Sequence, residues 1–176
     1  MDRIRNLIFC LTFIFISIPG INAQFASSAS ATGHINAEVI PVFSATETAQ
    51  MNFGRFSPGP AGGEIILTPE STVSVVGSVF SGTGTFNAAS FYISGDASAS
   101  FTVTLPNDPV VLRHTSSAKT MIIDDWVSNP VGGIGAGILH EGSKVVYVGA
   151  TLKVGRLEDN PVGIYAGTYT ITFDFN

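Results

Sequence analysis

An all-β fold, with antiparallel sheets facing each other, is predicted by three features of the sequence. Apolar residues recur with period 2 in several stretches, the spacing of a strand with one buried face. Gly, Pro, Asn, Asp and Ser cluster between those stretches at short intervals, as turns do in a β-sandwich. Helical periodicity is nearly absent: the best helix candidate, Thr46–Met51, is too short to stand alone.

The first segment reads as an address. Arg3 and Arg5 precede an apolar run from Leu7 to Ile18, which Pro19-Gly20 breaks, and Ile21-Asn22-Ala23 offers a small residue at a cleavage position. Residues 1–23 are therefore expected to be a secretory signal peptide. The run is shorter than the roughly 20 apolar residues of a spanning helix, so no stable membrane span is expected in the mature chain. Cys10 lies inside the run, not at the cleavage point, which excludes a lipoprotein. It is the only Cys, so the exported domain has no disulfide and must rely on its core. Residues 24–33, small and polar, are expected to form a flexible leader.

Residues 34–176 are expected to form one domain. Its first strand is placed at Ile35, Ala37, Val39, Pro41 and Phe43, with His34, Asn36 and Glu38 on the opposite face. Further strands are read at Met51–Phe56, Glu64–Thr68, Ser71–Phe80, Ala89–Ser94, Phe101–Leu105, Val110–Arg113, Lys119–Asp124, Val145–Val154 and Tyr169–Phe175. Phe101, Val103, Leu105, Val148, Leu152, Ile171 and Phe173 are the expected inward side chains. The runs Ser57-Pro58-Gly59-Pro60, Gly82-Thr83-Gly84, Ser94-Gly95-Asp96, Asn160-Pro161 and Gly132–Gly137 read as turns or loops.

Composition removes several functions. The chain of 176 residues is 45% hydrophobic, 12% charged and carries a net charge of −5. With Arg3 and Arg5 gone, too few cations remain to neutralise a phosphate backbone, so nucleic acid is not a partner. His34, His114 and His140 have no metal-ligand spacing, and His140-Glu141 is followed at position 144 by Lys rather than the second His of a zinc helix. Asp124-Asp125 would point to opposite faces of a strand and could share a cation only across a bulge. The Asn107-Asp108 turn lacks the alternating ligands of a calcium loop. Ser116-Ser117-Ala118-Lys119 matches a Ser-x-x-Lys nucleophile motif by letters alone, and no Gly-x-Ser-x-Gly elbow occurs. The acids are scattered, so none stands out as a glycosidase pair. No catalytic residue and no cofactor is implied. Trp126, the single Trp, is a weak candidate for stacking on a sugar ring.

Several pieces, taken in order, resemble the domain of unknown function 4402 family of secreted bacterial proteins. They are Val39-Ile40-Pro41-Val42, then Asn52-Phe53-Gly54-Arg55-Phe56, Gly62-Gly63 before Ile65-Ile66-Leu67-Thr68-Pro69, Ala89-Ser90-Phe91 before Ile93-Ser94-Gly95, Phe101–Pro106, Val148–Gly155 and Gly163–Asn176. The likeness covers roughly residues 33–176, and that family carries no assigned activity. The tail Gly167–Asn176 also resembles the last strand of chaperone–usher pilins and spore-coat-U-like proteins, which end on an alternating strand with an aromatic residue second from the end, here Phe175. In pilins an immunoglobulin-like sandwich is completed by a neighbour's N-terminal strand. The chain departs from them in lacking a disulfide.

The resemblance implies an immunoglobulin-like, pilin-like β-sandwich. It also implies a non-enzymatic structural or adhesive subunit of a cell-surface or periplasmic assembly, with itself or other surface subunits as partners. Ile35, Ala37, Val39 and Phe43 are the candidate donated strand; Tyr169, Ile171, Phe173 and Phe175 are the candidate acceptor edge. The alternative is a monomeric secreted module that binds a glycan or a protein. If residues 1–23 are an export signal, N-terminal sequencing of the exported chain should start at Gln24; a mature protein that still carries Met1–Ala23 would make the apolar run an anchor.

Overall fold

The computed structural model describes residues 28–40 and 42–175. The predicted signal peptide and Pro41 lie outside these residues. The chain divides into a segment up to Glu38 and a unit that starts at Val39. Within the first, residues 28–38 are exposed and carry no regular structure.

The second unit is all-β, without a helix among the described residues. Its strands are β1 (Ser44–Ala49), β2 (Phe56–Leu67), β3 (Val73–Ser81), β4 (Ala89–Ser94), β5 (Ser100–Thr104), β6 (Val110–His114), β7 (Thr120–Asn129), β8 (Gly133–Ile138), β9 (Ser143–Val154), β10 (Tyr165–Ala166) and β11 (Thr172–Phe175). Every pairing is antiparallel. The large sheet runs β1-β4-β9-β7-β6-β10, with β2 joining β9 and β3 joining β2; a small sheet runs β11-β5-β8.

Strand β9 is central because its sequence permits it. Val146, Val148, Ala150, Leu152 and Val154 are all buried on one face, as the alternation predicts. One edge of β9 pairs with β4 over 143–148 and then with β2 over 150–154; β7 takes the other edge. Two apolar clusters form beneath it. Ala89, Ile93, Val146 and Val148 pack with Phe101, Val103 and Leu139, and with the partly buried Phe173 and Phe175 of β11, so the small sheet covers this half. Ile65, Leu67, Met121, Ile123, Ala150, Leu152 and Val154 pack instead with Phe53, Val79 and the partly buried Phe56.

Several expectations need correction. Residues 34–40 are not a strand, and pairing starts only at Ser44 opposite Ser94. Alternation says which face a strand would bury, but a strand also needs a neighbour for its N–H and C=O groups, and none of the described strands takes those of 34–40. Thr46–Met51 is not helical. Its first four residues belong to β1, where Thr46 faces Tyr92 and β-branched side chains suit the pleat. Ser57-Pro58-Gly59-Pro60 is not a turn between strands but a bulge within β2, where the register slips between Pro58 and Gly62 and proline's missing N–H does little harm. Gly132–Gly137 is not a loop: most of it is β8, paired with β5. The Phe101 ring lies where a side chain on Gly137 would stand, so only glycine lets the two strands approach there. Leu105, Ile171 and Phe173 are half-buried rather than buried, while Phe101, Val103, Val148 and Leu152 are buried as expected.

The small sheet hangs on Phe101, which has no exposed surface and meets the rings of Phe173 and Phe175 at 6.3 and 6.0 Å. Phe101→Ala should cost about 3–5 kcal/mol in a denaturant titration, the usual range for a core Phe. The half-buried Phe173 should cost less when truncated. Equal losses at the two positions would place the weight of the small sheet elsewhere.

Candidate functional site

The small sheet covers only one half of the large sheet's inner face. Over the other half, around Leu152, Met121 and Ile123, lie two mostly irregular segments, residues 50–55 and 155–171, the second interrupted by the two-residue β10. Irregular backbone beside a core needs partners for its polar groups, and Asn160 supplies them. It is buried; its Oδ1 accepts from the Gly155 N–H at 2.5 Å, and its Nδ2 donates to the Thr120 carbonyl at 2.8 Å, which ties the segment to β7. Tyr165 donates to the Pro161 carbonyl at 3.0 Å and sets its ring edge-on to His114. Burial raises the Tyr165 phenol pKa.

Between these segments and the sheet opens a cleft of about 860 Å³. Its floor is Val110, Leu112, Met121, Ile123 and Leu152, and its walls include Phe53, Phe56, Phe91, Tyr169 and Ile171, with Glu47 and Arg55 among the few charged lining groups. Tyr169 stacks near Trp126 with ring centroids 4.8 Å apart, and its hydroxyl is buried without a hydrogen-bond partner. Burial first, and then the Glu47 carboxylate, push its pKa up to about 12. Sequence reading missed the cleft because residues 161–168, which form much of its wall, have no periodicity. The one available signal was Asn160-Pro161, a side chain able to serve two backbone groups at once.

The proposed strand-exchange residues are placed as follows. Ile35 and Val39 are 95% and 96% exposed, and Ala37 is exposed beside them. Phe43 is apart from these: it stacks on Phe175 of its own chain, ring centroids 3.9 Å apart. Tyr169 and Ile171 precede β11 without belonging to it, yet pack on the same cluster as Phe173 and Phe175. Trp126 is not an exposed platform. It packs inward between both apolar clusters, with its Nε1 buried and unpartnered.

The bulge that Asp124-Asp125 would need is present. The β7–β9 register slips between Asp124 and Val127, and Asp125 takes a positive φ of 48°. Asp residues enter that region more readily than most. The extra residue turns both carboxylates to the outer face, but the cation they share is the chain's own. Lys153 Nζ lies 2.7 Å from Glu64, 3.2 Å from Asp125 and 3.4 Å from Asp124. The Glu64 hydrogen bond leads in raising the Lys153 pKa. No group of three or more metal-ligating residues suited to an ion occurs among the described residues.

These features belong to a chain that matches the family described as Domain of unknown function (DUF4402) over residues 43–175, and the chain is a member of that family. Neither a curated protein nor a solved structure matches it.

The unpaired Tyr169 hydroxyl yields a test. A buried donor without a partner loses water and gains nothing, so Tyr169→Phe should leave the melting temperature at pH 7 unchanged or raise it. A raised phenol pKa favours the folded state fully below the unfolded value near 10, and that contribution fades as pH climbs towards 12. The variant should therefore lose less stability than the wild type between pH 10 and 12. A lower melting temperature at pH 7 would mean the hydroxyl has a partner, such as a buried water.

Proposed function

We propose that this chain is a secreted, non-enzymatic structural subunit of a bacterial surface or periplasmic assembly, an immunoglobulin-like sandwich that joins its neighbours by β-strand addition. Export is supported by Arg3 and Arg5 ahead of the apolar run and by the small residue Ala23. Among the described residues, no helix is long and apolar enough to cross a membrane.

The observation that carries the reading is a match between an apolar segment and an open edge. Ile35, Val39, Ile40 and Val42 stand 71–96% exposed. Among the described residues, strand β11 pairs only with β5, over a continuous register from Thr172 to Phe175, and Asp174 is its single charged side chain. An extended segment from 35 to 42 spans about 26 Å, enough to run along residues 168–175 of a second copy. Its backbone would pair with β11, and its apolar side chains would lean on the cleft beside Tyr169 and Ile171. A monomeric binding module is the second reading, favoured by the cleft itself, which is of a size that holds small ligands.

Light scattering on the purified exported chain, with unheated denaturing gels, separates the two. Under strand addition the wild type should show a heat-labile ladder, and Val39→Asp should run as a monomer with an unchanged melting temperature. A wild type that stays monomeric at high concentration, with a melting temperature that falls when residues 28–42 are deleted, would overturn the assembly reading.

A further inference from the structure

On the outer face of the large sheet, opposite the cleft, Tyr92 of β4 and Tyr147 of β9 are 43% and 44% exposed. In the β4–β9 register Tyr92 faces Val145 and Ser90 faces Tyr147, so the tyrosines lie on a diagonal one pair apart, about 7–8 Å between backbones. The strands beneath them are held rigidly, since Ile93, Val146 and Val148 on the inner face have no exposed surface. No hydrogen bond or ring contact engages either phenol among the described residues.

The neighbours on this face are neutral. The cross-strand rows are Ser44, Ser94 and Ser143; Thr46, Tyr92 and Val145; then Ser90, Tyr147 and Asn129; with Val127 opposite Gly149 beyond. The hydroxyls meet each other at 2.8 Å, Ser44 with Ser94 and Thr48 with Ser90; the exposed Ser44–Ser94 pair keeps acceptor and donor capacity for a further group, while Thr48 also donates to the carbonyl of the buried Ser90 at 3.1 Å. No Lys, Arg, Asp or Glu belongs to these rows. The nearest acid in contact is Glu70, which accepts from the Asn129 amide at 3.3 Å at the border.

We infer that this face binds a neutral glycan, with Tyr92 and Tyr147 stacking on the C–H faces of sugar rings. A pyranose has an apolar face and a rim of hydroxyls. It matches flat aromatic rings set among Ser, Thr and Asn side chains. Tyrosine provides that contact area with only two side-chain torsions to freeze, and its ring keeps one end apolar and one end wet. An anionic polymer would need cations that these rows lack. A purely apolar protein surface would leave the hydroxyl rows unpaired on burial. Trp126, the aromatic that sequence alone singles out, cannot take this role because it points inward.

The site is on the other side of the sheet from β11 and the cleft, so it stands or falls apart from strand addition. The exported chain should be retained on at least one of microcrystalline cellulose, chitin and soluble β-glucan in affinity electrophoresis, and not on alginate. The double variant Tyr92→Thr/Tyr147→Thr keeps β-branched residues on both strands and should retain the wild-type melting temperature. It should weaken binding roughly tenfold or more, the loss of two aromatic stacking contacts. Val39→Asp should bind as the wild type does. If the double variant unfolds, the single variants Tyr92→Phe and Tyr147→Phe, which keep the rings, must bind, and each single Thr variant must weaken binding. Retention on none of the three neutral polymers, retention on alginate alone, or unchanged binding by the folded double variant would overturn the inference.

Discussion

Everything else in the domain leans on the uninterrupted apolar face of β9. Twelve residues long, it presents Val146 and Val148 to one apolar cluster and Ala150, Leu152 and Val154 to the other. Because side chains alternate strictly, a slip of one residue would turn all five to solvent. Three neighbours prevent the slip: β4 and β2 share one edge and β7 runs along the other. With no Cys beyond the predicted signal, no covalent link shares this task. A single domain of roughly 130–150 residues can bury enough surface to manage without one.

The two clusters are covered unequally, and the candidate sites follow from that. Over Val146 and Val148 lies the small sheet, whose close approach depends on Phe101 and the bare Gly137. Over Leu152 lies chain with little regular structure beyond the two-residue β10, and such chain packs less completely than a sheet. It remains in place because Asn160 satisfies the backbone on both sides of the gap. The cleft is what this arrangement leaves, a hollow beside β11 rather than a finished core. On the outer face, the β7 bulge accommodates the same strand to two demands. Trp126 turns inward to bridge the clusters, and Asp124 and Asp125 turn outward to meet Lys153.

Where periodicity was long, the sequence was legible. The inward set of β9, the bounds of β4 and the burial of Phe101 and Val103 follow from alternation alone. Alternation failed where partners decide the outcome. Residues 34–40 alternate as well as any strand but have no paired neighbour among the described strands. Gly133–Ile138 alternates Ile134, Ala136 and Ile138 with glycines, but its glycine content reads as a loop by propensity; it is a strand because β5 and the Phe101 ring need bare backbone beside them. The prolines of β2 signal a turn by propensity, and a bulge absorbs them. The candidate sites were less legible still. Trp126 attracts notice as a lone aromatic, but the one-residue offset of the bulge decides which way it faces, and that offset shows only when β7 is paired with β9. Tyr147 was readable as the outward neighbour of Val146 and Val148; that Tyr92 lies diagonal to it depends on the β4–β9 register, which no local pattern encodes.

The strand edges differ in how they are protected, and the difference bears on which one is available. Proteins blunt exposed edges with charge, bulges or short length, since an open ladder invites another chain. Here β1, β3 and β8 each pair through a slipped register, between Glu47 and Ala49, Pro58 and Gly62, and Phe101 and Val103 respectively. Strand β10 is two residues long. Among these edges in the described residues, β11 is the one longer than two residues that keeps a regular register through its whole length, with one charge, and it adjoins the incompletely filled half of the interior. Its far end is not bare, because Phe43 stacks on Phe175. A chain pairing with β11 would therefore be stopped at Phe175 and directed back towards Tyr169 and Ile171, where the cleft can receive its side chains. In a chain with only 12% charged residues, leaving this edge regular has a physical cost in aggregation risk. On the strand-addition proposal, a partner strand would remove that cost, and residues 35–42 of a second copy would be that strand.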